Sequence, residues 1–175
     1  ATATPVARLA AALDLAERRP HDARKRYEAL IEQDPKAAPA AMLALAEISL
    51  NGGASVADVS AAIDRALEAD RKDAGHWRAA IDLQRRLGDP AATLARAQAA
   101  NLVLADEPSL MLELASAQLA NGEQRQGLAT LRRLVGMRPQ WAEAQLRLAV
   151  AYGMAGEIAA AREPLQRALE LAPQA

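Results

Sequence analysis

The chain is 175 residues long, carries a net charge of −1 and contains no cysteine. Without a basic excess there is little to hold a phosphate backbone, which argues against nucleic acid as a partner. Without cysteine there are no disulfides, thiolate metal sites or thiol nucleophiles. Apolar residues make up 51% of the chain, enough for a packed core. Their kind is unusual: Phe is absent, and Tyr27, Trp77, Trp141 and Tyr152 are the only aromatic residues. Alanine and leucine supply most of the rest, and both favour helix. The β-branched and aromatic residues that suit strands are scarce. No apolar run reaches membrane-spanning length, and no signal peptide is visible. A start at Ala1-Thr2-Ala3 without an initiator methionine leads us to expect a fragment of a longer chain.

Internal repetition is the strongest signal. A glycine–acid turn recurs as Gly88-Asp89, Gly122-Glu123 and Gly156-Glu157, in steps of 34 residues. Pro139 and Pro173 are also 34 apart, and Pro35 falls on the same phase three repeats earlier once inserted residues are allowed for. Reading outward from these marks gives five units in a single array over 1–175: 4–38, 39–73, 74–107, 108–141 and 142–175. Each holds two helix-length apolar patterns around a turn, so ten antiparallel helices and no sheet are expected.

The first unit opens on Thr4-Pro5, a proline in a first helical turn, where its missing N–H is harmless. Its basic stretch, Arg18, Arg19, Arg24, Lys25 and Arg26, is interrupted by Asp22 and reads as a solvated helix face. The second unit carries an insertion within Asn51-Gly52-Gly53-Ala54-Ser55, a helix–helix turn rather than a phosphate-cradling loop. In the third, Asp89 can cap the free amides of a helix that begins at Pro90. Gly88 permits the left-handed backbone that ends the preceding helix. The fourth starts at Glu107-Pro108 and puts Gly127 inside its second helix, at a cost of about 1 kcal/mol against alanine. In the fifth, Leu146, Leu148, Ala149 and Tyr152 form one stripe. Ile158, Ala161, Leu165, Ala168 and Leu169 form the next, at three- and four-residue spacing. Pro164 interrupts that second pattern and predicts a kink or a late helix start.

These marks together resemble the tetratricopeptide repeat family. The family pattern has a large residue at position four, a Leu-small pair at seven and eight and tyrosine at eleven. Alanine follows at twenty, a large apolar residue at twenty-four, alanine at twenty-seven and proline at thirty-two. The fifth unit matches with Leu148-Ala149, Tyr152, Ala161, Leu165, Ala168 and Pro173. The first matches with Ala23, Tyr27 and Pro35, the third with Trp77 and Ala100, and the fourth with Leu114-Ala115, Leu131 and Pro139. Departures occur at the eleventh position (Asp14, Ser49, Gln84, Gln118), at Ile81 in a small-residue position, and at Thr93 and Gly127 where alanine is usual. The resemblance implies an all-α fold, an α-solenoid with a right-handed superhelix. Small residues such as Ala46, Ala115 and Ala149 let helices approach, and Leu45, Leu114, Leu131 and Leu165 fill the space between. A lone unit cannot bury both faces, so neighbours must stack.

The resemblance also implies a concave groove lined by the first helices. Carried over, its positions are Arg8, Ala12 and Leu15 in the first unit and Leu43, Glu47 and Leu50 in the second. Arg78, Asp82 and Arg85 follow, then Leu112, Ser116 and Leu119, then Leu146, Val150 and Met154. The ninth positions, Ala12, Glu47, Asp82, Ser116 and Val150, lack the asparagine of carboxylate-clamping relatives, which argues against that ligand. Arg78, Asp82, Arg85 and Arg86 make the third unit charged, whereas the groove of the last two is apolar. An amphipathic protein or peptide segment suits such a surface. Equally, the charges at i, i+4 and i+7 can satisfy one another, and the leucines can pack between units.

His21 and His76 lie in different units and read as structural rather than as a catalytic or metal pair. The carboxylates are scattered. No enzyme activity, cofactor or metal is expected. The phrases Leu112-Glu113-Leu114-Ala115, Arg138-Pro139 and Ala142-Glu143-Ala144-Gln145-Leu146-Arg147-Leu148-Ala149 are similar to the repeat lipoproteins of exosortase and exopolysaccharide systems. Those belong to the envelope of Gram-negative bacteria. Cytochrome-maturation and polysaccharide-export repeat proteins fit nearly as well. The leading reading is a protein-interaction scaffold. Its alternative is a spacer or self-association segment of a longer array. For that alternative, Leu165, Leu169 and Leu171 are expected near an apolar face where a further unit would stack. Such a face predicts self-association unless Arg162, Gln166 and Arg167 cover it.

Overall fold

The computed structural model describes residues 3–172, apart from the side chain of Ala3; Pro173 therefore lies outside the described residues. Ten α-helices form among them, and no strand. They are α1 (Ala3–Ala16), α2 (Pro20–Gln33), α3 (Ala38–Asn51), α4 (Val56–Ala69), α5 (Ala74–Arg86), α6 (Pro90–Val103), α7 (Pro108–Ala120), α8 (Gln124–Met137), α9 (Ala142–Met154) and α10 (Ile158–Leu171). The fold is all-α and built from TPR-like helix pairs.

The turns explain the spacing. Within each unit the paired helices are joined through one residue of positive φ, Arg18, Gly53, Gly122 or Gly156, and Gly88 before α6 shares that backbone, with φ between 59° and 82°. Four are glycine, which adopts this backbone without a Cβ penalty. Arg18 takes it with a side chain, at a cost of about 1–2 kcal/mol. Asp89 caps α6 by accepting from Ala92 N at 3.0 Å, with Pro90 at the first position behind it. The corresponding Glu123 and Glu157 make no such cap. Their side chains turn to Asn121 Nδ2 at 3.3 Å and to Arg132 at 3.9 Å instead. Glu107 caps α7 by accepting from Ser109 N at 3.3 Å and Ser109 Oγ at 2.9 Å.

The helices pack as two compact units, divided between Gly88 and Asp89. In the first, Ala11, Ala23, Tyr27, Leu30, Ala37, Ala41 and Ile48 form a core. Small residues contribute to this unit's interior: Ala11, Ala23 and Ala46 are buried almost completely. In the second, Met111, Leu112, Ala115, Leu128, Leu131, Leu134, Ala144, Leu148 and Ala151 form another. Ile81 is fully buried in its small-residue position. Leu165, expected as filling, is instead 43% exposed, because no further helix packs on that face of α10 among the described residues.

Three of the four departures at the eleventh position, Asp14, Ser49 and Gln118, share one role. Each described partner is polar and lies on, or caps, another helix. Asp14, 1% exposed, receives Arg26 Nε at 2.5 Å and Arg19 at 2.8 Å. Two arginines of the basic stretch are thus committed to one buried carboxylate, which an open solvated face would not show. Ser49 accepts from Arg24 at 3.3 Å, and Gln118 Oε1 accepts from Thr130 Oγ1 at 2.8 Å. Tyr152 keeps the family residue. Its hydroxyl accepts from Arg132 Nε at 2.7 Å, and the guanidinium stands 5.2 Å from the ring centre. The position is a polar tie between helices, and several side chains can supply it.

Pro164 sits inside α10, which begins at Ile158 and continues to Leu171. The late start that the sequence allowed does not occur. A proline there lacks the N–H that would reach the carbonyl of Ala160. Pro164 is itself buried, and that packing offsets part of the loss.

Candidate functional site

In the first unit, the exposed faces of α1, α3 and α5 enclose a cleft of about 450 Å³. Arg8 comes from α1, Leu43 and Glu47 from α3, and Asp82 and Arg86 from α5. Their i, i+4 spacing along α3 and along α5 is what turns these side chains to one side. Ala40, Ala44 and Ala79 complete the walls, and their short side chains leave the space that larger residues would fill. The cleft is charged on both signs. Arg86 joins the helices, donating to Glu47 Oε1 at 2.7 Å and to Asn51 Oδ1 at 2.6 Å. Arg85 pairs with Asp82 at 3.2 Å on the same helix. In the core of the same unit, burial raises the pKa of the Tyr27 phenol, with Arg8 acting against that shift and Glu47 adding to it.

Four groove residues expected from the sequence, Arg8, Leu43, Glu47 and Asp82, thus line one cleft. Leu43 is only 4% exposed and serves as its floor. Arg78 and Arg85 are exposed but lie off the cleft wall; Arg86 takes the place expected of Arg85. The sequence reading missed His76, Ala79 and Leu83, although they continue the α5 face at three- and four-residue spacing from Asp82 and Arg86.

The second unit carries the remaining expected positions. Leu112 is a correction: it is 7% exposed and belongs to the core formed by α7, α8 and α9. Leu119 is partly buried against that core, and the Ser116 hydroxyl is spent on Leu112 O at 2.9 Å. The α7 contribution is therefore mostly packing. On α9 the outcome differs. Leu146, Val150 and Met154, at i, i+4 and i+8, are 43%, 52% and 68% exposed. They form an apolar stripe on one face of a helix whose other face holds the buried Ala144, Leu148 and Ala151. A separate cleft of about 690 Å³ opens between the α6–α7 and α8–α9 turns, where Pro108, Met137, Pro139 and Trp141 meet Arg138 and Glu107.

A further group lies at the edge of the first cleft. Asp70, Asp73 and His76 converge at the α4–α5 turn. The signal for this group in the sequence is the three-residue spacing Asp-x-x-Asp-x-x-His, which a comparison of His21 with His76 does not reveal. Among the described residues no helix is long and apolar enough to cross a membrane.

Residues 8–74 and 112–175, more than half of the chain, match the family model described as tetratricopeptide repeat. No curated protein matches the sequence. Among solved structures, YrrB, a TPR protein with an unusual peptide-binding site, is 17% identical. It has a TM-score of 0.65 over 96% of this chain and 86% of that one. MamA of Desulfovibrio magneticus RS-1, from residue 41 to its end, is 13% identical with a TM-score of 0.69, covering 98% and 96%. TTC0263, a thermophilic TPR protein of Thermus thermophilus, is 20% identical with a TM-score of 0.68, covering 98% and 93%. At these identities the likeness establishes the fold. With the family model matched on both sides of the chain and the helix pairs in place, the chain belongs to the tetratricopeptide repeat family.

Proposed function

We propose that this chain is a protein-interaction scaffold, a single array of five repeats, that takes a peptide segment of a partner into the α1–α3–α5 cleft. The observation that carries the reading is the cleft itself: Arg8, Glu47, Asp82 and Arg86 present both charges around an apolar lining of Leu43, Ala44 and Ala79. An extended or helical segment with apolar residues for the floor and charges for the rim is the matching chemistry. The α9 stripe of Leu146, Val150 and Met154 is a second surface, suited to the apolar side of such a segment. The presence of a peptide-binding site in YrrB, a protein of the same fold, supports the reading. A bacterial envelope or exopolysaccharide setting is part of the proposal on the sequence resemblance alone. The test is selection of peptides from a random display library on the wild-type chain, followed by anisotropy titration of the winners. Binding should fall at least tenfold in Glu47→Lys and Arg8→Glu. Selected peptides that bind these variants as tightly as wild type would sink the cleft as the site.

One observation favours self-association as a second reading. Leu165 and Leu169 are 43% and 57% exposed on α10, so Arg162, Gln166 and Arg167 do not cover them. Sedimentation at rising concentration should show a dimer that Leu169→Glu loosens. A monomer throughout would rule it out.

A further inference from the structure

The α4–α5 turn gathers three metal-ligating side chains, Asp70, Asp73 and His76, at the edge of the cleft. Asp70 follows the last residue of α4, Asp73 is the N-cap of α5, and His76 stands in the first turn of α5. One donor atom from each lies within 4.8 Å of the other two. Both carboxylates are held in place through one oxygen. Asp70 Oδ1 accepts from Lys72 N at 2.9 Å. Asp73 Oδ1 accepts from Gly75 N at 2.7 Å and His76 N at 3.2 Å. The turn itself is pinned by Trp77 Nε1 donating to Arg71 O at 2.8 Å.

The group that points to a ligand is His76 Nδ1. It is sealed from solvent and has no hydrogen-bond partner. Asp70 Oδ2 faces it at 3.6 Å, beyond hydrogen-bond reach. Folded proteins rarely leave a buried ring nitrogen unmet. A separation of 3.6 Å is close to that of two ligands on one tetrahedral ion, which bonds of about 2.0–2.2 Å hold roughly 3.3–3.5 Å apart.

We infer that Asp70, Asp73 and His76 form a binding site for a divalent transition-metal ion such as zinc. One imidazole nitrogen with two carboxylates suits zinc better than magnesium or calcium, which prefer oxygen alone. The Asp70 side chain is 40% exposed and can close the remaining distance by a small rotation. Ligation requires Nδ1 without its proton, so Nε2 carries the hydrogen. Three protein ligands leave a fourth position for water. The ion would tie the end of α4 to the start of α5, and Asp73 and His76 also line the cleft, so occupancy would stiffen one cleft wall.

The test is calorimetric titration of the full chain with Zn²⁺, repeated with Ca²⁺, and visible absorption with Co²⁺. We expect one equivalent of Zn²⁺, a Co²⁺ spectrum showing nitrogen ligation, and weaker Ca²⁺ binding. Asp70→Asn and His76→Ala should each weaken Zn²⁺ binding at least tenfold, and His21→Ala should leave it unchanged. Asp70→Asn keeps the bond to Lys72 N, so it decides the matter if His76→Ala does not fold. The inference is overturned if Zn²⁺ does not saturate, if Asp70→Asn binds as tightly as wild type, if His21→Ala loses binding, or if Ca²⁺ binds as tightly as Zn²⁺. Peptide affinity plays no part in this readout, so it stands or falls apart from the cleft.

Discussion

Gly127→Ala should destabilise the chain, although it places a better helix former inside α8. By propensity alone the change gains about 1 kcal/mol. The structure opposes it: a β-carbon built at Gly127 would stand 2.6 Å from Leu119 Cγ and 2.7 Å from its Cδ2, with Ala115 O at 3.3 Å. Cγ is the branch point of that side chain, so rotating its tip cannot relieve the contact. Overpacking of this kind costs about 1–3 kcal/mol, which leaves a net loss of roughly 0–2 kcal/mol after the propensity gain. The diagnostic variant is the pair. Leu119→Ala alone should cost about 2 kcal/mol or more, but once it is made, Gly127→Ala meets no clash and should stabilise by about 1 kcal/mol. Urea unfolding of the four proteins gives the coupling directly, expected at about 1–3 kcal/mol. If the two changes add within about 0.5 kcal/mol, Leu119 is not the reason for the glycine.

Asp14→Ala removes the buried partner of Arg19 and Arg26. Both arginines are half exposed and can rehydrate, so denaturant unfolding should show a loss of about 1.5–3 kcal/mol; a loss below about 0.5 kcal/mol would make the tie ornamental. Arg18→Gly should stabilise by about 0.5–1 kcal/mol, because relief of the left-handed backbone exceeds the added freedom of the unfolded chain; a lower melting temperature would contradict this. Asp34 has a lowered pKa, first because Thr4 Oγ1 donates to it at 2.6 Å. Its stabilising effect is therefore present above the unfolded carboxyl pKa and lost as pH falls through the folded one. In Thr4→Val the Asp34 titration followed by NMR should move up, and the variant's deficit should vanish in acid. An unmoved titration would refute the bond.

The periodic features were legible because they follow from backbone geometry. Gly88, Gly122 and Gly156 announced left-handed turns, and Asp89-Pro90 announced a helix start. The turn of the first unit was hidden, since Arg18 carries no sign of a positive φ. Packing choices were also hidden. Gly127 looked like a weakness, yet its space belongs to Leu119; Asp14 looked like a lapse from tyrosine, yet it receives two arginines. For the candidate site, the family resemblance assigned Arg8, Leu43, Glu47 and Asp82 to one groove. It could not separate Leu112, which turns into the core, from Leu146, which stays out. Both are leucines at the same repeat position. Which one is covered depends on the helix that follows: α8 and α9 close over Leu112, and none among the described residues closes over Leu146.

The most direct test of the scaffold reading is an NMR titration of the labelled chain with a peptide selected by display. The account predicts amide shifts concentrated on Arg8, Ala40, Ala44, Glu47, Ala79 and Arg86, saturating with one affinity, and reduced in Glu47→Lys. Shifts confined to the α2 and α4 faces, with these residues unmoved, would contradict it.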